Sequence, residues 1–542
     1  MGWKFRSGAA PDQCMLMPAD PREWLPAGHL AWKVTELAGE MDLSGFGASY
    51  RGDGQGGRPY DPAMMATLLL YCYCRGRRSS REIEMATFDD VGARVICGGL
   101  HPDHSTVAEF VRRHLEAVCA LLPESVKACA REGLVSLELV AGDGTKLKAN
   151  ASMASNVTAA QLDAQITELE DLIGAEFRQW AQDMLDGEDT APAPAPPGRD
   201  GDGEAKGKGK GKGKGKGKPK RAEQTLARRK AARAQLQSRQ EEKNRQELQP
   251  RIAELAARVK KKEAGVARWE AAAAARLEAR AARIAAGRRI PGTRPITGIG
   301  QHREVKRARK SLAAARADYD AAVQAAAAPA GDPDAKVNAA DPSSRIMPLK
   351  KGGFDQLHNV QALATAKTQV ILAITRHPSP VDVQALAPLM EKARETLLAA
   401  GITDQILKAL FDAGYASDAN FTLDIPEQLY IAVTREARQT GRTPDGRAPK
   451  TMLPSWEDMT ARLGTPEGKE LYRQRGATIE PVFAQLTARL GRTLNYRGDH
   501  ADTELALWAA SHNILKAITA RTKRLARQAL TATTAAAAPA AA

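Results

Sequence analysis

Strand-patterned sequence stands on both sides of a long stretch that cannot hold a strand, and this interruption limits the fold more than any other feature. Residues 187–221 run through Ala-Pro alternation, an acidic glycine-rich patch and alternating Lys and Gly from Lys206 to Lys218. Such a composition buries too little to offset its ordering entropy, and disorder is predicted. In the Lys-Gly repeat the glycines fall two apart, which excludes there the five-residue glycine spacing of a phosphate-binding P-loop. From residue 221 to about residue 324 the chain is rich in Ala, Arg, Glu and Lys. Ile252, Leu255, Val259, Val266 and Trp269 fit a rough heptad interrupted at Lys262. Val305, Leu312, Tyr319 and Val323 supply an opposing stripe, so the pattern predicts an antiparallel helical hairpin over 222–325.

Before the interruption, from residue 134, the period is two. Val135, Leu137, Leu139, Ala141, Thr145, Leu147 and Ala149 share one side and Ser136, Glu138, Lys146 and Lys148 the other, a strand with one buried face. Asp143 falls on that buried face. After the interruption, strand-like periodicity returns at 359–364 and 369–375 around a turn at Ala366-Lys367-Thr368. A helix is predicted at 381–400, then a short apolar segment ending in Leu410-Phe411-Asp412-Ala413-Gly414-Tyr415, then another at 429–433. Pro481 is tolerated only in a first turn or a bend, so a helix is predicted to begin or kink near Thr478, with Ile479, Val482, Phe483, Leu486 and Leu490 as its apolar stripe. One α/β domain split by a helical insert follows.

The region 60–130 reads as several short helices, with Pro62 near a start, and Ser79 or Ser80 able to cap a helix whose positive end Glu82 or Glu84 favours. The formal charge is +15, which suits a polyanionic partner, nucleic acid first and an anionic membrane surface second. Arg77, Arg78, Arg81, Arg112 and Arg113 are the candidate phosphate contacts of the head, against the alternative of a solvated basic face. The six cysteines form no Cys-x-x-Cys pair, and His101, His104 and His114 with Cys97 show no regular ligand spacing, so no zinc is assigned. No apolar run reaches the length of a bilayer span and the amino terminus lacks a signal-peptide apolar region. The expectation is a cytoplasmic, nucleoid-associated protein.

Three acids stand out by position. Asp143 lies in line with a buried face, where an unpaired carboxylate is penalised, so a cation should meet it. Asp412 ends an apolar segment before a Gly-Tyr turn, and Glu480 precedes Pro481 beside a buried stripe. Carboxylates on two strand ends and a helix suit a pair of magnesium ions acting on a phosphate. Spacing alone does not select these three, and a salt bridge or cap explains each taken singly.

The motifs Tyr60-Asp61-Pro62, Gly76 to Arg81, Pro102-Asp103-His104-Ser105-Thr106 with Phe110, Asp143-Gly144-Thr145-Lys146, Asp341-Pro342, Asn359-Val360-Gln361, Asp412-Ala413-Gly414-Tyr415, and Tyr472, Arg475 and Glu480 with Pro481-Val482-Phe483 occur in this order. The set resembles bacterial insertion-sequence transposases of the DDE, ribonuclease-H-like superfamily, in the group related to Insertion Sequence Four and Five. The resemblance implies an α/β fold: a ribonuclease-H-like mixed sheet with flanking helices, split by a long helical insert, and an α-helical N-terminal domain.

It also implies a triad of Asp143, Asp412 and Glu480 that is catalytic and metal-binding, with two Mg2+ ions or Mn2+ in their place. Tyr472 and Arg475 would position the DNA end. The implied partner is double-stranded DNA, both the element's terminal inverted repeats and the target, held by a homodimer or higher assembly at synapsis. The expected division is 1–130 for the head, 131–160 and 336–525 for the two parts of the catalytic domain, 161–335 for the insert and 526–542 for a disordered tail. Two departures are visible. Four residues separate Arg475 from Glu480 where the pattern has three, and Thr487 stands at the pattern's lysine, leaving Arg489 or Arg492 to replace it. A transposase-derived DNA-binding protein without chemistry is the alternative, and a basic helical scaffold a third reading.

Overall fold

The computed structural model describes residues 20, 23–50, 58–187, 218–288, 298–327, 334–349, 352–433 and 454–537. The chain divides into two compact units, Met1–Met153 with Ser343–Ala542, and Ala154–Pro342. In the first unit the helices α1 (Leu30–Gly39), α2 (Pro62–Cys74), α3 (Ser80–Asp89), α4 (Val91–Ile96), α5 (His104–Arg113) and α6 (Leu115–Arg131) precede strand β1 (Leu139–Lys148). The second unit holds β2 (Asn156–Thr158), α7 (Ala159–Gly187), α8 (Lys218–Ala285), α9 (Arg303–Ala327) and β3 (Lys336–Asn338). The first unit then resumes with β4 (Arg345–Pro348), β5 (Phe354–Thr365), β6 (Ile371–His377), α10 (Leu386–Ala399), β7 (Lys408–Phe411), α11 (Asp418–Phe421) and β8 (Gln428–Ile431). It ends with α12 (Pro454–Gly464), α13 (Pro466–Leu490) and α14 (His500–Ala537).

Local chemistry sets the starts of the head helices. Asp61 accepts from the Ala63 N–H with Pro62 in the first turn of α2, where a missing N–H costs nothing. Ser79 and Glu82 form a reciprocal capping box on α3, and Asp103 caps α5 through the Thr106 N–H. Residues 65–74 of α2 are all buried, so α2 is a central helix rather than a one-sided surface helix. What surrounds it includes α14, which also packs along α6. The Cys74 thiol meets the Ser511 carbonyl and the Cys129 thiol the Asn513 carbonyl. Head and sheet therefore share one apolar core.

Strand β1 runs between β5, antiparallel from Val140↔Thr365 to Lys148↔Leu357, and β7, parallel from Leu139↔Lys408 to Ala141↔Leu410. Beyond β5 lie β6 and β4, both antiparallel to it, and beyond β7 lies β8, parallel. Helix α13 packs on β1, β5 and β7, and α10 and α14 on β6. Because β1 is internal, residues 139–142 are buried on both faces and alternation survives only over 146–149. The strand also starts at Leu139 rather than at 134. Helix α13 starts at Pro466, capped by Thr465, and continues through Pro481, so of the two expected alternatives near Thr478, a start or a kink, the start is excluded.

In the second unit β2 and β3 pair antiparallel over a small core of Leu162, Ala232, Leu236, Val337 and Ala339. Helix α8 is continuous through Lys262 and pairs with α9, as Arg309–Glu270 and Arg316–Glu263 contacts of 2.6 and 2.7 Å show. Val305 is buried in that pairing while Val323 is exposed, so the opposing stripe is shorter than the heptad reading. Helix α7 is a third member, packed on α8. Of the segment expected to be disordered, 188–217 lies outside the described residues, whereas 218–221 opens α8. The tail expected to be disordered from residue 526 continues α14 to Ala537, since an alanine-rich run extends a helix already anchored by packing.

Candidate active site

The parallel register of β1 and β7 decides the geometry. Continuing Ala141↔Leu410 by two residues sets Asp143 beside Asp412, on strands spaced by about 4.8 Å. The Asp143 Oδ1 accepts from the Gly144 N–H at 2.7 Å, and the Asp412 Oδ1 from the Gly414 N–H at 2.8 Å. Burial raises the Asp143 pKa above the ordinary carboxylate value, the Asp412 charge raises it further, and Arg475 opposes both. Two facing carboxylates of this kind suit a divalent cation, which relieves their repulsion.

Glycines on either side of Asp143 permit this packing. A Cβ at Gly142 would lie 2.3 Å from the Phe411 ring, and one at Gly144 would lie 2.5 Å from Gln361 Nε2 and 2.9 Å from Asp382 Oδ1. Asp382 is a nearby carboxylate that the sequence reading missed. Its Oδ1 accepts from Asn359 Nδ2 at 2.8 Å and Gln361 Nε2 at 2.7 Å, and its Oδ2 lies 3.3 Å from the position of a Cβ on Gly414. The Tyr415 hydroxyl donates to Gln361 Oε1, and its pKa is pushed well up by burial, then by the charges of Asp382, Asp143 and Asp412. Asp382 falls at the start of the helix predicted at 381–400, where an acid is an ordinary end charge, so its position did not mark it as part of a site. Its one signal was the amide pair Asn359 and Gln361, two residues apart on one face of a strand.

Helix α13 brings in the cation. Arg475 Nη1 lies 3.2 Å from Asp143 Oδ2 and its Nη2 lies 3.8 Å from Glu480 Oε1. Burial opposes the Arg475 charge, while Tyr472, Asp143 and Asp412 together hold its pKa above the usual value. The step of five residues from Arg475 to Glu480 turns the helix by about 140° beyond one full turn, and the Glu480 side chain is 67% exposed. The triad expected from sequence thus becomes a pair of aspartates and a glutamate linked to them through a guanidinium. Among the described residues, no three acid, histidine or cysteine side chains gather closely enough to share one metal ion.

The other expected contacts separate. Arg78 is half-buried, its side chain 14% exposed, paired with Glu504 at 3.0 Å, bonded to the Thr493 carbonyl and set over the Trp508 ring. It ties the head to α14, and its guanidinium is engaged by these partners within the chain. Arg77 pairs with Asp89, and Arg112 and Arg113 flank Glu109. Arg81 is exposed in the first turn of α3. The Thr487 hydroxyl bonds back to the Phe483 carbonyl. Arg489 is largely enclosed, its Nη2 3.3 Å from Ser511 Oγ, so it does not replace the missing lysine. Arg492 is exposed.

Residues 19–113 match a family described as Transposase domain (DUF772), and residues 448–518 match Transposase DDE domain. The second match contains Tyr472, Arg475 and Glu480. Comparison with curated proteins and with solved structures gives no match. Among the described residues no helix is long and apolar enough to cross a membrane.

Proposed function

We propose that this chain, a DDE transposase of the bacterial insertion-sequence kind by the two family domains it carries, cleaves DNA at the ends of its element and joins the freed strands to target DNA. The observation that carries this reading is Asp143 of β1 near Asp412, the residue that follows β7, with Arg475 of the Glu480 helix on Asp143. The sheet order β6-β5-β1-β7-β8, antiparallel on one side of β1 and parallel on the other, supports a ribonuclease-H-like arrangement. The order of Tyr472, Arg475 and Glu480 on one helix supports the group related to Insertion Sequence Four and Five.

A divalent metal ion, magnesium with manganese as an alternative, would be held by Asp143 and Asp412 and would supply charge neutralisation at the reacting phosphate, with Glu480 standing next to that pair across the Arg475 guanidinium. The chain's own residues do the rest. Asp382 is held by Asn359 and Gln361 so that its charge faces the aspartate pair. Arg475, enclosed and oriented by Tyr472 and Asp143, holds a phosphate of the DNA end, and Arg77, Arg81, Arg112 and Arg113 hold flanking phosphates. Water attacks the phosphorus at the element's end, breaking its bond to the 3′ oxygen, which leaves as a hydroxyl. That hydroxyl then attacks a target phosphorus in line and displaces a second 3′ oxygen, and no covalent enzyme intermediate forms. Two ends must meet, so a homodimer or larger assembly is the working form.

The test is strand transfer on a fragment carrying terminal inverted repeats. Asp143→Asn and Asp412→Asn should each lower joining at least a hundredfold yet bind the same fragment with near wild-type affinity. Joining at the wild-type rate in either variant overturns the assigned site. A second reading, a DNA-binding protein without chemistry, rests on Thr487 at the lysine position. Binding of end-bearing DNA by the wild-type chain without any magnesium- or manganese-dependent nicking would favour it.

A further inference from the structure

We infer that the α8–α9 hairpin of the insert carries a sequence-independent binding surface for the phosphate backbone of duplex DNA; the choice of DNA as the polyanion rests on the transposase reading. The two helices meet along their apolar stripes, with Val266, Ala273, Val305 and Ala315 buried. Acids on the contact edges are consumed there: Glu263 pairs with Arg316, Glu270 with Arg309 and Asp318 with Arg258. What remains on the outside is mostly cationic, with Glu254 and Glu278 as exposed acids of α8.

A groove of about 440 Å³ between the helices is lined by Lys261, Lys262 and Arg307, with the Trp269 indole in its wall and Glu304 as its one acid. Arg268 lies over that indole, 5.4 Å from the ring centre. Along the same stretch of α9, Arg303, Lys306 and Lys310 join Arg307 at spacings of three and four residues, which places all four on one face. Among the described residues none of these four cations, nor Lys261 or Lys262, makes an ion pair. Arg303 with Arg307 and Lys306 with Lys310 are like charges one turn apart, an arrangement that weakens an isolated helix. A polyanion laid along the face removes that repulsion and releases its own counterions.

The same geometry disfavours a lipid surface. A helix lying on a membrane needs an outward apolar face, and in this hairpin the apolar stripes are spent on each other. A duplex presents closely spaced phosphates to a cationic ridge without needing apolar contact or base readout.

The test uses the full chain and two duplexes, one with the element's ends and one of unrelated sequence, titrated over a salt series. The triple variant Lys261→Gln, Lys262→Gln, Arg307→Gln should lower the slope of log affinity against log salt by about two to three, at about 0.9 for each phosphate left without its cation, and by the same amount on both duplexes. Glu304→Gln should instead tighten binding to both duplexes several-fold, a gain that misfolding cannot imitate. Wild-type slope and affinity in the triple variant, with nicking and joining intact, overturn this inference and leave the transposase reading standing. Failure of the wild-type chain to bind either duplex overturns both. Loss of binding to phosphatidylglycerol vesicles in the triple variant, with its DNA slope unmoved, also overturns the inference, in favour of a membrane.

Discussion

His512 shows how one side chain can carry a pH dependence far from any chemistry. Buried on α14, it directs Nε2 at the Gln369 carbonyl at 2.9 Å, and burial before all else holds its pKa down, from 6.5 to about 4. The imidazole is therefore neutral in the folded chain with its proton on Nε2, donating to that carbonyl. Because the unfolded chain takes up this proton below 6.5 and the folded chain resists to about 4, the stability is fully present above the upper of these values. It is lost as pH falls through that window, by on the order of 3 kcal/mol in all. Urea midpoints measured from pH 7 to pH 4 should fall, and His512→Gln, which keeps a donor near the same place, should flatten the fall. An unchanged profile in that variant would show that His512 is not the titrating group. Legibility at this scale was uneven. Asp143 called for a cation because its position in a strand period put a charge among apolar neighbours, and Arg475 answers it. Arg78 looked like any other arginine in a basic turn, because its burial depends on Glu504 and Trp508, more than 400 residues away.

Elements were legible where their own residues decide them. Caps, the turn between β5 and β6 and the apolar stripes of the hairpin come from short-range chemistry. The two ends of β1 were not alike in this respect. Alternation holds over 146–149, but 139–142 lies between β5 and β7 with both faces covered, and coverage is a property of the neighbours. Pro481 misled for a related reason. Its missing N–H breaks one bond of a helix that packing on β1, β5 and β7 holds together. Gly142 gives a test of how closely the strands are fitted. An added methyl would meet the Phe411 ring at 2.3 Å, so Gly142→Ala should destabilise by about 1–3 kcal/mol through overpacking. Combining it with Phe411→Leu should recover part of that loss, giving a double variant more stable than the two single effects predict by addition. Simple additivity in urea unfolding would mean that the two groups do not meet.

At the scale of the whole molecule, composition marks the insert well and packing marks everything else. The low-complexity segment and the Ala-Arg-Glu-Lys run announce a separate unit because their composition differs from the rest of the chain. Nothing comparable marks the return of the last helix to the first ones, since a contact between Cys74 and Ser511 spans 437 residues and leaves no trace in local periodicity. The expected boundary at residue 130 is thus a change from helix to strand within one core. In that core α2 and α6 lean on α14, and the Glu504 carboxylate, its pKa raised by burial, accepts from the Asn495 and Tyr496 N–H groups as well as from Arg78. A head that folded independently would keep its helices when cut out. This one would expose the apolar side of α2 and leave Arg78 without its partner, so residues 1–131 expressed alone should show weak helicity and a broad, non-cooperative thermal transition. Adding a peptide of residues 500–537 should raise the helicity and sharpen the transition, because it supplies Glu504, Trp508 and the backbone carbonyls that the two thiols meet. A fragment that melts sharply without the peptide, with its full helix content by circular dichroism, would mean that the head is an autonomous module and that its contacts to α14 add little.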